Sequence, residues 1–308
     1  MPNYEVLAEG LRFPEGPIAM PDGSVIVVEI ARGTLSRVRG GQVEVAADLG
    51  GGPNGAAIGP DGRCYVCNNG GFTWVERRGR LFPGEQATDY GGGRIEAVEL
   101  ATGQAEVLYT HCDGEPLKGP NDIVFDSEGG FWFTDHGKTR ARDRDRTGVF
   151  YAAADGSSIE EVIFPLEGPN GIGLSPEEDE LYVAETPTGR VWAYALSAPG
   201  KLKGERRDRP DGGRLLPGRP GYFLFDSMAV DAEGNVCVAT IVDGGITILS
   251  PKGEPARHVP CPDPLTTNIC FGGPDLKTAY VTLSSTGQLI AMPWPTPGAP
   301  LNFLPRQP

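Results

Sequence analysis

Two carboxylates and four amides occupy matching places in six repeats of this chain: Glu15, Asn54, Asn121, Asn170, Asp226 and Asn268. Oxygen donors of this kind, with no histidine or cysteine among them, suit a hard cation rather than a thiolate or imidazole site. Gathering Glu15 and Asp226 in one buried channel is costly unless a cation neutralises them. Ca2+ is the expected ion, because Glu15, Asn121, Asn170 and Asp226 come from four separate segments and match its high, flexible coordination number. Zn2+, Mg2+ or Mn2+ could occupy the same oxygens. A cation so held would polarise an ester or lactone carbonyl and stabilise the developing oxyanion. Asp226 is then the expected general base or nucleophile, since one oxygen can ligate while the other approaches water or the carbonyl. Asn54 and Asn121 are expected to orient the substrate.

Each anchor opens a segment such as FPEGPIAMPDGSVIVVE or GPNDIVFDSEGGFWFTD. Seven residues after each anchor stands an acid: Asp22, Asp61, Glu128, Glu177, Glu233 and Asp275. Glycine follows four of them, the composition of a tight turn. Five residues further on stand Val27, Val66, Phe133, Tyr182, Val238 and Tyr280, which favour strands. Each repeat therefore reads as a hairpin whose six acids build the turns. The anchors lie 39, 67, 49, 56 and 42 residues apart, room for a four-stranded unit each. With helical periodicity missing, the expected fold is all-β, a six-bladed β-propeller with a central channel, spanning residues 1–308 as a single domain. The ring is expected to close by pairing an N-terminal strand with late C-terminal ones. Return strands would bring Glu29, Asn68, Asp135, His136, Glu185 and Thr240 to the anchors' mouth. Asp135 and His136 are candidates for substrate binding or proton transfer there. Three long loops, 76–93, 136–148 and 200–221, are candidates for a lid or rim.

A net charge of −14 argues against nucleic acid, whose phosphates need clustered Lys and Arg. No basic leader and no run of about eighteen apolar residues is present, so neither export nor a membrane helix is expected, and the location expected is cytoplasmic. The six cysteines sit in apolar runs and are expected as buried free thiols. Cys64 and Cys67 spell CxxC, but residues three apart in a strand point to opposite faces. No GxSxG, HExxH or GxxxxGK[ST] motif is present.

The segments FPEGP, GPNDIVFDSEGGFWFTD, PNGIGLSPEEDELYVAE and FDSMAVDAEGNVCVAT resemble the regucalcin/gluconolactonase family of six-bladed propellers, with further similarity to the diisopropyl-fluorophosphatase type. The resemblance implies a lactone- or ester-hydrolysing enzyme acting on a small molecule. It also implies a divalent ion on Glu15, Asn170 and Asp226, with Asn121 a fourth ligand or a substrate contact. Two departures bear on the substrate. Where the regucalcin type has an arginine for sugar-acid hydroxyls, this chain has Gly119, and the sixth repeat, TTNICFGG, lacks the late channel histidine of the phosphatase type. The alternatives are an organophosphate-type phosphotriesterase, a non-catalytic binding scaffold, or a propeller with metal-free lyase or condensation chemistry.

Overall fold

Alternating apolar residues and turn signals fold each repeat into an antiparallel hairpin, which further strands extend outward into a blade. The computed structural model describes residues 2–204 and 208–305. Among these residues there is no helix, and so none long and apolar enough to cross a membrane. The innermost strands are Pro14–Ala19, Pro53–Ile58, Pro120–Phe125, Pro169–Leu174, Leu224–Val230 and Thr266–Gly272. Each pairs with its return strand, and contacts between successive inner strands close a ring around a central channel. The fold is a six-bladed β-propeller.

Closure is by the chain ends. Glu5–Ala8 forms the outermost strand of the sixth blade, with Glu5 opposite Ala291 and Val6 opposite Ile290. The core is a set of layers between blades rather than one central mass. Because strand residues alternate, Phe131 and Phe133 face the second blade while Trp132 faces the fourth. The same alternation separates Cys64 and Cys67, which belong to different layers. All six cysteines are buried and free.

The turns differ from the sequence reading. Asp22, Asp61 and Asp275 do cap their hairpins, each accepting from the backbone N–H two residues on. Glu128, Glu177 and Glu233 are exposed and leave that task to residues two positions earlier, Asp126, Ser175 and Asp231. A carboxylate on one methylene reaches its own turn, whereas glutamate is too long for the Asx geometry. All six constant acids are exposed, and only the three aspartates cap their own turns.

Candidate functional site

Every anchor lies at the second or third position of an inner strand, and there the pairing slips. The register shifts between Glu15 and Ile18, Pro53 and Ala56, Pro120 and Ile123, Pro169 and Ile172, Phe225 and Met228, and Thr266 and Asn268. Six bulges at one level re-aim the side chains beside them, as bulges next to active sites commonly do. All six anchors are buried.

The structure joins several of them directly. Asn268 Nδ2 donates to Glu15 Oε2 at 2.8 Å, and Ser227 Oγ donates to Asn170 Oδ1 at 3.3 Å. Asn170 also hydrogen-bonds the Asp226 carboxyl. Asn121 Oδ1 is buried with no partner among the described residues, the expected state of an acceptor reserved for a ligand. Asn54 is buried at the corresponding place on the second blade.

Asp122 belongs to this ring and was not anticipated from the repeats. Strict alternation would turn it away from the channel, but the bulge brings it into the electrostatic field of both Glu15 and Asp226. The available signal was its position: among the residues directly after the anchors it alone is an acid. Burial, then the Glu15 charge, push its carboxyl up to about 7, against N–H donors from Ile123 and Ile172. Burial likewise raises Glu15 to about 7, opposed by hydrogen bonds from Thr267, Asn268 and Gly16. Asp226 is driven well above the usual carboxylate range by burial, then by the Glu15 charge. Among the described residues no three of His, Cys, Asp and Glu are grouped to hold one ion. A divalent cation here would therefore take Glu15 and Asp226, whose charges repel, together with amide oxygens such as the unpartnered Oδ1 of Asn121.

Close approach of the inner strands needs glycine after three of the anchors, at Gly16, Gly55 and Gly171. A Cβ on Gly55 would lie 2.4 Å from Asn121 O, and one on Gly171 would lie 2.6 Å from Asp226 O. Backbone cannot yield as a flexible side chain does. Gly171→Ala is expected to cost about 1–3 kcal/mol by overpacking and to displace Asn170 from Asp226. Thermal melts with and without Ca2+ check this, with a lower Tm and weaker ion stabilisation expected.

The return strands end where expected, with Pro14 opposite Glu29, Pro53 opposite Asn68, Pro120 opposite Asp135 and Pro169 opposite Glu185. Their work is to hold loops. Asp135 accepts from the N–H groups of Lys118, Gly119 and Gly137 at 2.7, 2.7 and 2.8 Å. With both oxygens so engaged, Asp135 positions the segment before Asn121. His136 is half-buried, its N–H donating to Gly119 O at 2.9 Å and its ring Nδ1 without a partner among the described residues. Burial, reinforced by Arg144 and Lys138, lowers its ring to about 3, so it is neutral.

Two of the long loops lie on this mouth, while the third supplies Lys201–Leu202 and Arg214–Leu215 to the outer edge of the fourth blade. The hairpin Phe72–Arg77 and Arg80–Gln86 crosses the first blade, with Phe72 and Trp74 packing near Phe13 and Leu265. Arg80 reaches Asp263 and Ser285 at 3.1 Å each. The buried Lys138 joins the second loop to the first, donating to Asn69 O at 2.9 Å and Gly71 O at 2.6 Å under the Phe72 ring. Residues 205–207 of the third loop lie outside the described residues. Beyond the anchors, toward the other mouth, the channel opens into a cavity of about 160 Å³ lined by Ile18, Ile58, Ile172 and Met228. Leu301 and Leu304 of the C-terminal segment border it.

Comparison with known proteins places this geometry. The family profile described as "SMP-30/Gluconolactonase/LRE-like region" matches residues 13–285. A gluconolactonase of Zymomonas mobilis is 27% identical over 304 residues, covering 87% of this chain and 75% of its own. Diisopropyl-fluorophosphatase of Loligo vulgaris is 28% identical over 203 residues, 61% of this chain and 62% of that protein. The crystal structure of a calcium-binding regucalcin from Agrobacterium tumefaciens superposes with a TM-score of 0.76 at 18% identity, covering 99% of this chain and 98% of that one.

Proposed function

Because the chain belongs to the SMP-30/gluconolactonase/LRE-like family, we propose that it is a hydrolase that opens a lactone or related ester with the help of a divalent cation, Ca2+ being the best match. The observation that supports the metal is the buried, mutually repelling pair Glu15 and Asp226, together with the unpartnered Oδ1 of Asn121. Glu15, Asn121, Asn170 and Asp226 would hold the ion. When bound, it supplies Lewis-acid polarisation of the carbonyl and offsets negative charge on its oxygen.

The chain's own groups do the rest. Asp226 removes a proton from the water that adds to the carbonyl carbon, and returns it to the ring oxygen as the C–O bond breaks. Direct attack by the same carboxylate is the nucleophilic variant. Asn54 and Asn121 orient the substrate through their amides, and the neutral His136 ring contacts it from the rim. Asp122, hydrogen-bonded by the Ile172 N–H at 3.3 Å, fixes the field in which Asp226 works. The family's fluorophosphatase relative supports a second reading, phosphotriester hydrolysis on the same oxygens.

The test is turnover of a panel of lactones, esters and a phosphotriester before and after chelation. Lactone opening that is abolished by chelator and restored by Ca2+ is expected. Undiminished turnover in chelator would sink the metal-assisted mechanism, and phosphotriester turnover alone would move the assignment to the second reading.

A further inference from the structure

Nine buried side-chain polar atoms lack a partner among the described residues, and three of them belong to residues that meet around Gly168. They are His136 Nδ1, Arg144 Nε and Thr186 Oγ1, between the third and fourth blades. Buried polar groups are nearly always paired, so a cluster of exceptions points to a ligand.

The seam is tightly built. Thr186 N–H donates to Gly168 O at 3.1 Å, and Arg144 Nη2 approaches His136 O at 3.4 Å. A Cβ on Gly168 would lie 2.2 Å from Arg144 Nη2 and 3.1 Å from Pro187 Cδ, so the guanidinium rests on that glycine. Neighbouring arginines are neutralised: Arg140 by Asp143 and Asp145, Arg209 by Asp211, Arg214 by Glu180, and Arg219 by Asp243. Half-buried Arg144 makes no ion pair among the described residues. Arg142, also without an ion pair among the described residues, is exposed, whereas the Nε of Arg144 is buried and unpartnered there.

We propose that Arg144 and Thr186 form a subsite for a carboxylate carried by the substrate in addition to its lactone group. Arg144 presents planar N–H donors and Thr186 a hydroxyl, the donor set a carboxylate takes. His136 refines the match. Its ring faces the backbone of Pro169 and Gly168, and Nδ1 has no partner among the described residues. A hydroxyl, which can donate or accept, suits an unpartnered ring nitrogen beside a carboxylate subsite. The substrate class is therefore a lactone bearing a hydroxy-carboxylate arm, as in monolactones of sugar diacids. Hydrolysis adds water across the ring C–O bond and yields an open-chain dicarboxylate and a proton.

This rests on the hydrolase reading, and the experiment separates the two. Turnover of glucaro-γ-lactone and of glucono-δ-lactone is measured for the wild type, Arg144→Gln, Arg144→Lys and Thr186→Val with Ca2+ present. Glucarate binding is measured in parallel by calorimetry, and melting curves confirm folding. For Arg144→Gln, KM for the carboxylated lactone is expected to rise about tenfold to a hundredfold, as for one charge-assisted hydrogen-bonded group. The neutral lactone is expected to lose at least about tenfold less, since it presents nothing to the guanidinium. Lysine is expected to rescue only partly, lacking the planar fork. Equal losses on both lactones, or unchanged glucarate affinity in Arg144→Gln, would overturn the subsite. Wild-type turnover confined to neutral lactones would also overturn it while leaving the hydrolase reading intact. Arg144-dependent glucarate binding without turnover of any lactone would uphold the subsite and defeat that reading.

Discussion

Asp226→Asn is expected to lower kcat on the best lactone by about a thousandfold at saturating Ca2+, the size of loss associated with a general base in a preorganised field. The asparagine keeps one oxygen that can ligate and loses the group that accepts the proton. Glu15→Gln should behave differently. Glu15 is held by Asn268 at 2.8 Å and offers no second free role, so its loss should act on ion affinity. Titrating Ca2+ against rate distinguishes the two: excess ion restores much of the rate in Glu15→Gln and little in Asp226→Asn. Full activity in both variants would refute the assignment of this ring as the reaction centre.

Without a divalent ion the protein is expected to lose stability as pH rises from about 4 to above 7. Glu15 and Asp122 are raised from ordinary values of 4.5 and 3.8 to about 7 each, burial being the larger cause. Across that interval the unfolded chain has released protons that the folded chain retains, so unfolding becomes more favourable with increasing pH. Below the ordinary carboxylate range both states are protonated and the penalty is absent. Above about 7 it is fully present, and a shift of this size corresponds to on the order of 3 kcal/mol for Glu15. Ca2+ should remove the penalty, so its stabilisation should grow from pH 5 to pH 8. Melting temperatures in chelator and in Ca2+ across that range provide the measurement. Glu15→Gln should raise the Tm in chelator at pH 8 while reducing the response to Ca2+. A metal-free Tm that climbs through this range would contradict the buried-carboxylate account.

The ring of anchors could be seen in the sequence because each repeat is a local pattern. Glu15 and Asp226 are far apart in the chain, yet their positions within a hairpin are the same, and equivalent positions converge on the axis when blades close. Asp122 escaped that logic. It stands one place from an anchor, and only the bulge between Pro120 and Ile123 brings it into the field of Glu15 and Asp226. Asp135 was located at the mouth by its place at the end of a return strand, but its bracing of the loops was not visible in the sequence. Nothing in FTDHG announces that three backbone N–H groups would converge on its carboxylate. The turn acids divided for a similar reason. Aspartate and glutamate look interchangeable as charges, but only the shorter side chain reaches its own turn.

By itself, then, the sequence determined the number of blades, the strands that line the channel and the oxygen-rich character of their first residues. These follow from alternation, turn chemistry and a repeated register, all of which act over a few residues. Only the tertiary structure decided that the charge of a third carboxylate acts on Glu15 and Asp226, and that the Arg144 guanidinium rests on Gly168, whose carbonyl accepts from the Thr186 N–H. Those meetings depend on slipped register and on loops from different blades packing together, and the physical forces that set them act between segments with no shared local pattern.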